Sequence, residues 1–256
     1  MFEVAWCVML YTTVLALELS PVIFERLNLE GPRRLIHAFT TPLVIVGVIL
    51  STLHQSSLGT LFLIVPEKLH PLWYSLLLPG FFFLSAVGAG LGMVILESHL
   101  SGRAFGRRLE MDLLEPLARA MVVVLGVYGL LRLLVLRRNG ALAEVFSPTY
   151  EGGLFMVEFG LGVVLPVALL SFQRIRSSPR GLVAGAFLAV LGFVMNRLNV
   201  SVTGLERAAG GRYLPSWMEV VVSLGLVGIG FALFALAARY LPIFPRPAAE
   251  GDAAAE

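Results

Sequence analysis

The chain has 256 residues, of which 57% are hydrophobic, and its mean hydropathy is +0.86. Soluble domains contain about 45–50% apolar residues, so this composition excludes an ordinary soluble fold and indicates an integral membrane protein. The net charge of +2 excludes a strongly basic nucleic-acid surface. The single cysteine, Cys7, excludes an internal disulfide, a Cys-ligated iron–sulfur cluster and a thiolate zinc site within this chain.

Seven apolar segments are long enough to cross a bilayer as helices, which requires about 20 residues each. The first begins with Glu3 rather than a basic segment, so we predict a membrane helix and not a cleavable signal peptide. The fold class is therefore all-α, a polytopic helical bundle, with one transmembrane domain over 1–241 and a disordered cytoplasmic tail over 242–256. Helices A to G are predicted at 3–24, 36–57, 72–98, 114–136, 153–173, 181–201 and 216–240.

The distribution of basic residues predicts the orientation of the chain. Twelve arginines fall in connectors A–B, C–D and E–F, the start of helix D and the tail, against seven basic residues on the other side. Because cytoplasmic loops carry the excess of Lys and Arg, the C-terminus is predicted in the cytoplasm and the N-terminus of this chain outside. The B–C connector then lies at the outer face.

Ionisable groups inside a span are costly and predict function. In helix A, Glu3, Cys7, Tyr11 and Glu18 fall within roughly 80° of one another on one face. The two carboxylates on this face predict the two ends of a proton path. The alternative is that Glu3 lies at the water interface and Glu18 hydrogen-bonds a neighbouring helix.

A second group of polar residues is predicted to converge at one depth near the outer face, from four different helices. Its members are His54, Gln55, Ser56, Ser57, Glu158, Asn196, Arg197, Asn199 and Glu219. A quinone needs hydrogen-bond donors for its carbonyls, a source of protons and an apolar path for its tail. The group therefore predicts a quinone pocket, with a purely structural Arg–Glu pair as the alternative.

The four histidines raise the question of haem, which takes a histidine from each of two facing helices. All four lie near span ends, which argues against haem, although a haem ligated by His54 and His70 stays open. His37 with Glu97 or His99 is predicted to form the inner end of a proton route, with interface anchoring as the alternative for each.

Two smaller patterns have structural explanations. The glycines Gly88, Gly90 and Gly92 lie inside a span rather than after a strand, so they predict close helix packing and not a dinucleotide site. Glu115 and Arg119 are four residues apart at the start of helix D and predict an intrahelical ion pair.

Several long stretches resemble one family, from residue 1 to about 240. They are "MFEVAWCVMLYTTVLALELSP", "LHQSSLGTLFLIVPEKLHPLWYS", "FFFLSAVGAGLGMVILES" and "NRLNVSVTG". These stretches are similar to the NrfD/PsrC family of membrane subunits and, within it, to the HybB branch found with [NiFe]-hydrogenases.

The resemblance implies a haem-free, quinone-reactive subunit of a respiratory oxidoreductase in a bacterial or archaeal cytoplasmic membrane. Its implied partners are an extracytoplasmic iron–sulfur subunit and, through it, a hydrogenase or a molybdenum reductase. Matching stretches place the pocket at His54 to Ser57 and at Asn196 and Arg197, with menaquinone or ubiquinone as the substrate. The segment from Lys68 to Tyr74 is predicted as an interfacial anchor that also meets the partner.

This chain departs from the resemblance in one respect. Members of the HybB branch usually carry additional N-terminal membrane helices, so an N-terminal truncation is expected. The competing functions are a transporter, for which no internal repeat is found, and a passive anchor, which would not need so many intramembrane carboxylates.

Overall fold

The computed structural model describes residues 2–106, 109–211, 213 and 215–241, except for the side chains of Glu3, Phe105 and Arg207. Within these ranges every regular element is helical. The α-helices are α1 Phe2–Arg26, α2 Glu30–Ala38, α3 Thr40–Leu61, α4 Leu78–Phe105, α5 Met111–Arg138, α6 Leu142–Val145, α7 Tyr150–Phe159, α8 Leu165–Ser171, α9 Gln173–Arg176, α10 Pro179–Leu198, α11 Gly204–Ala209 and α12 Trp217–Tyr240.

Among the described residues, seven helical stretches are long and apolar enough to cross a membrane. These stretches confirm the all-α, multi-pass prediction and correspond one to one with helices A to G. They are Val4–Arg26, Thr40–Ile64, Leu78–Ala104, Met111–Arg138, Tyr150–Ser171, Pro179–Glu206 and Trp217–Tyr240.

Local capping chemistry explains several helix boundaries. The hydroxyl oxygens of Thr149, Ser178 and Ser216 accept hydrogen bonds from backbone N–H groups at the starts of α7, α10 and α12. These contacts satisfy donors that a first helical turn leaves unpaired. At the other end of α4, Gly106 takes the left-handed conformation, with φ 67°, in which a side chain would be strained.

Two segments differ from the predicted connectors. A nine-residue helix, α2, forms where a connector was predicted, because its charged and apolar residues alternate with helical period. The predicted start of helix C at 72 is wrong, since α4 begins at Leu78. The preceding loop turns into the protein and buries Leu69, Leu72 and Trp73, so it is more than an interfacial anchor.

The described residues divide into two compact units, and the prediction of a single transmembrane domain stays a prediction. Residues 52–213 form the first unit, in which α4 packs against α5 and α10, and α10 packs against α8. Two large apolar clusters fill this bundle, together with a smaller third one around Phe81, Tyr128 and Val163. The first is centred on Leu78, Trp73 and Phe155, and the second on Ile95, Met121 and Leu182. Along each long helix of the unit, the buried polar residues come between members of the two clusters.

The second unit contains residues 2–51 and 215–241 of the described chain. In α1, Cys7 and Val14 are buried, whereas the side chains of α12 lie mostly exposed. Arg33 in α2 forms an ion pair with Glu25 in α1, at 3.3 Å. Met1 and the predicted tail at 242–256 lie outside the described residues.

Candidate functional site

A buried carboxylate, Glu158 of α7, is the centre of the polar layer in the first unit. Its Oε2 accepts hydrogen bonds from Trp73 Nε1 at 2.9 Å and from Asn199 Nδ2 at 2.8 Å. Its Oε1 accepts from Asn196 Nδ2 at 2.7 Å and lies 3.3 Å from Arg132 Nη2. The side chain is only 4% exposed. Each of these partner groups is a hydrogen-bond donor, which is the environment that an ionised carboxylate requires.

Arg132 of α5 supplies the opposite charge. Its side chain is 5% exposed, its Nη1 donates to the hydroxyl of Tyr128, and its guanidinium lies over the rings of Tyr128 and Phe155. The Nη2 atom forms the ion pair with Glu158 but makes no hydrogen bond to the described residues. A buried arginine is stable only when it is paired in this way.

Arg197 of α10 is the second guanidinium of the layer, and its partners are neutral. Its Nη1 donates to Asn196 Oδ1 at 2.9 Å, and its Nη2 donates to Phe82 O at 3.0 Å and to Ser85 Oγ at 3.1 Å. A longer contact of 3.5 Å joins Nη2 to Gln55 Oε1. Within the described residues, Arg197 forms no ion pair, and the buried carboxylate of Glu158 faces Arg132 alone of the two guanidiniums.

Two π-helical segments lie beside these residues. One covers Gly160–Val164, directly after α7, and the other covers Asn199–Thr203, directly after α10. A π turn adds a residue to the helix and changes the face on which later side chains lie. The second segment begins at Asn199, so the change of helical geometry coincides with a ligand of Glu158.

The structure brings together five of the residues predicted for the quinone pocket: Gln55, Glu158, Asn196, Arg197 and Asn199. His54 and Ser56 are half-buried on α3, in which Ser57 is buried. The Nδ1 atom of His54 is enclosed and has no hydrogen-bond partner among the described residues. Asn196 and Arg197 lie in the last turn of α10, and the helical chain continues beyond them through the Asn199–Thr203 segment to Ala209.

Glu219 lies in the second unit, where it forms a local cap. Ser216 Oγ accepts from Glu219 N at 3.4 Å and lies 3.2 Å from Glu219 Oε1. Ser216 thus forms the N-terminal cap of α12, with the Glu219 side chain folded back onto its hydroxyl. A quinone-binding role for Glu219 stays a prediction.

The residues predicted for a proton path are spread over both units, and the path stays a prediction. In α1, Tyr11 and Glu18 are half-buried and share the less exposed face with Cys7, whereas the side chain of Glu3 lies outside the described part. His37 is exposed at the end of α2. Glu97 lines a cavity between the end of α4 and the start of α5.

Sequence reasoning missed the half of the polar layer that α5 and the α3–α4 loop supply. Arg132 is one of the seven basic residues assigned to the outer side from sequence, but the structure buries it in α5. Its signal was available, because Tyr128 and Arg132 are four residues apart inside an apolar run. The contribution of Trp73 had no signal, since the fold of its loop decides it.

The small-residue and ion-pair predictions can also be compared with contacts. A Cβ on Gly88 or Gly92 would meet Leu125 or Val190, which confirms close packing there, whereas Gly90 faces open space. The Glu115–Arg119 pair is confirmed at 2.8 Å, and Arg176 joins it at 3.3 Å.

Comparison with known proteins identifies related chains. The family model described as polysulphide reductase, NrfD, matches residues 1–209. A Nitratidesulfovibrio vulgaris protein is 38% identical over 95% of this chain and 64% of its own length. The probable Ni/Fe-hydrogenase 2 b-type cytochrome subunit of Escherichia coli K12 is 32% identical over 96% of this chain and 63% of its own.

The integral membrane subunit of a menaquinone reductase, also from Nitratidesulfovibrio vulgaris, is 29% identical over 96% of this chain and 65% of its own length. The chain thus spans slightly less than two thirds of the length of these relatives. The family match covers most of the chain, and the helical, multi-pass architecture agrees with it. The chain belongs to the NrfD family of membrane proteins.

Proposed function

We propose that this chain is the membrane subunit of a respiratory oxidoreductase complex and exchanges electrons between a partner iron–sulfur subunit and quinone in the bilayer. The family supports a role in a membrane complex. A relative named as a menaquinone reductase subunit supports quinone, and a relative named as a hydrogenase subunit supports a [NiFe]-hydrogenase as the catalytic partner.

The observation that carries the proposal is the environment of the Arg197 guanidinium. Its guanidinium carbon lies 3.7 Å from the ring centroid of Phe82 and 4.4 Å from that of Phe193, and its hydrogen-bond partners are all neutral. A positive charge without a buried counter-ion stabilises negative charge that arrives from outside the protein. Quinone oxygens gain such charge when the quinone is reduced.

The residues around Arg197 suit a quinone oxygen rather than an enclosed ligand. Arg197 donates to that oxygen, and Gln55, whose Oε1 lies 3.5 Å from Arg197 Nη2, supplies a further hydrogen bond. The enclosed cavity beside Asn196 has a volume of only about 20 Å³, which is too small for a quinone ring. The quinone therefore belongs on the half-exposed side of Arg197, and Glu158 serves as a fixed charge behind it.

The same proposal leaves the electron-carrying metal centres to the partner subunits. The name of the Escherichia coli relative includes a b-type cytochrome, so the histidines deserve a test against haem. His70 Nδ1 accepts the N–H of Leu72 at 3.3 Å and lies 4.0 Å from Glu144 Oε2, so this nitrogen already has partners within the protein. We propose that this chain binds no haem and that its iron–sulfur partner lies on the extracytoplasmic side.

The purified complex tests the pocket. Arg197→Gln is expected to lower hydrogen-driven reduction of a menaquinone analogue at least about tenfold, since hydrogen bonds to charged groups contribute about 1.5–3 kcal/mol. Reduction of a dye by the catalytic subunit should be unchanged, which shows that the complex is assembled. Arg119→Gln is the matched control, because Arg119 is exposed and pairs with Glu115.

Two results would contradict the proposal. Unchanged quinone reduction in an assembled Arg197→Gln complex would remove Arg197 from the pocket. A haem band in the reduced-minus-oxidised spectrum that disappears in His54→Ala or His70→Ala would overturn the haem-free assignment.

A further inference from the structure

A small cavity lies inside the first unit, at the junction of α4, α5, α7 and α10. Its volume of about 20 Å³ exceeds the roughly 10–15 Å³ that one water molecule requires. Four polar residues line it, each at most 5% exposed: Ser85, Tyr128, Glu158 and Asn196. The rest of the lining is apolar or glycine, but these four side chains give the cavity the two to four polar partners that a buried water molecule needs.

The space exists because two helices meet at glycines. Gly162 and Gly192 also line the cavity, and their backbones touch, so that neither position has room for a Cβ. Gly162 belongs to the π-helical segment Gly160–Val164. Without side chains at this crossing, the nearby polar groups have room between them that no protein atom fills.

The hydrogen-bonding capacity that these groups leave unused fits one water molecule. Tyr128 accepts from Arg132, and its own hydroxyl proton meets no acceptor among the described residues. Asn196 Nδ2 donates one proton to Glu158, and its second proton meets no acceptor in the described part of the chain. Two donors of the cavity are therefore free.

Acceptors are available on the opposite side of the same space. Ser85 Oγ donates to Phe81 O at 2.7 Å and accepts from Arg197 Nη2, which leaves it one lone pair. Glu158 Oε2 already accepts two hydrogen bonds, whereas Oε1 accepts one, from Asn196, and keeps a lone pair because Arg132 Nη2 makes no hydrogen bond to it. Two donors and two acceptors complete the four hydrogen bonds of a water molecule, whereas a cation would face the two protons and an anion would face the carboxylate.

We propose that this cavity holds one structural water that accepts from Tyr128 and Asn196 and donates to Ser85 and Glu158. The water joins the Arg132–Glu158 pair to the residues that position the Arg197 guanidinium. It makes a single hydrogen-bonded network out of two charge centres on α5 and α10. This inference is independent of the proposed quinone chemistry, because it rests only on the cavity and its lining.

Cryo-electron microscopy of the intact complex, at a resolution that shows ordered water, tests this site. The expected result is one density peak within hydrogen-bond distance of Tyr128 OH and Ser85 Oγ. Tyr128→Phe should remove the peak, because the ring stays while the donor is lost. Tyr240→Phe, on the exposed side of α12, should leave the peak unchanged.

A second variant keeps the test decisive if Tyr128→Phe does not assemble. Ser85→Ala removes an acceptor of the water, and Ser171→Ala is its control, since Ser171 Oγ donates to Val167 O in the same way but is exposed. The proposal is overturned by an empty cavity in the unmodified complex or by a peak that both Tyr128→Phe and Ser85→Ala retain. Replacement of the peak by a heavier one in bromide buffer would show an anion instead and would also overturn it.

Discussion

At the scale of single residues, the polar layer is organised around the buried carboxylate of Glu158. Its two oxygens receive N–H donors from Trp73, Asn196 and Asn199, and the charge of Arg132 faces one of them. All of these partners are donors, so the geometry suits a carboxylate that only accepts hydrogen bonds. Glu158 is therefore better suited to hold charge than to relay protons.

Replacing this carboxylate is expected to destabilise the protein strongly. Glu158→Gln puts an amide N–H₂ among donors and leaves Arg132 buried without a counter-charge, which costs about 3–5 kcal/mol. The unfolding temperature of the purified complex should fall clearly. Glu115→Gln is the control, and it should cause a much smaller fall because its ion pairs lie nearer the surface.

The double variant Glu158→Gln with Arg132→Gln separates charge from packing. Removing both charges should restore part of the lost stability, since no uncompensated charge is left inside the bundle. Arg132→Gln alone gives the reference loss of unfolding free energy. If adding Arg132→Gln to Glu158→Gln lowers the unfolding free energy by that same amount, the two side chains are not coupled and the ion-pair interpretation is wrong.

At the scale of elements, the crossing of α10 with the Gly160–Val164 segment determines how the polar side chains meet. The backbones touch at Gly162 and Gly192, which brings Glu158 and Asn196 within hydrogen-bond distance. Close approach of this kind is typical of small residues between membrane helices. The glycines of the bundle are therefore not equivalent, and most of them face open space or flexible side chains.

Gly192→Ala is expected to force this crossing apart. The new Cβ would collide with the backbone of Gly162, and overpacking in a tight core typically costs about 1–3 kcal/mol. Thermal unfolding of the complex measures the loss. The control is Gly90→Ala in α4, where nothing lies within reach of a Cβ, and this variant should match the unmodified protein or exceed it slightly. Equal unfolding temperatures for the two variants would contradict the crossing.

The seven spans were predictable from sequence because hydropathy and length suffice in a bilayer. The predicted site was partly recovered, since Gln55, Glu158, Asn196 and Arg197 do converge. What sequence could not provide were contacts that depend on irregular backbone. The π turn at Asn199–Thr203 and the inward loop that buries Trp73 break the regular period on which such reasoning depends.

At the scale of the whole molecule, the orientation in the membrane decides which side a partner can reach. Burial of Arg132 removes one basic residue from the predicted outer face and so strengthens the charge asymmetry on which the orientation rests. In this predicted orientation the α3–α4 loop and the α5–α7 connector lie outside, and α9 lies on the cytoplasmic side. An iron–sulfur partner on the outer side would meet the end of the bundle nearest the Glu158 layer.

Thiol labelling of intact cells can test this orientation, because the chain contains one cysteine. In a Cys7→Ser background, Ala143→Cys in α6 and Ser177→Cys after α9 each introduce one thiol at an exposed position. A membrane-impermeant maleimide should label Ala143→Cys in intact spheroplasts and Ser177→Cys only after permeabilisation. Labelling of both positions in permeabilised cells controls for reactivity. The reverse pattern would place the N-terminus of this chain in the cytoplasm and move the partner to the cytoplasmic side.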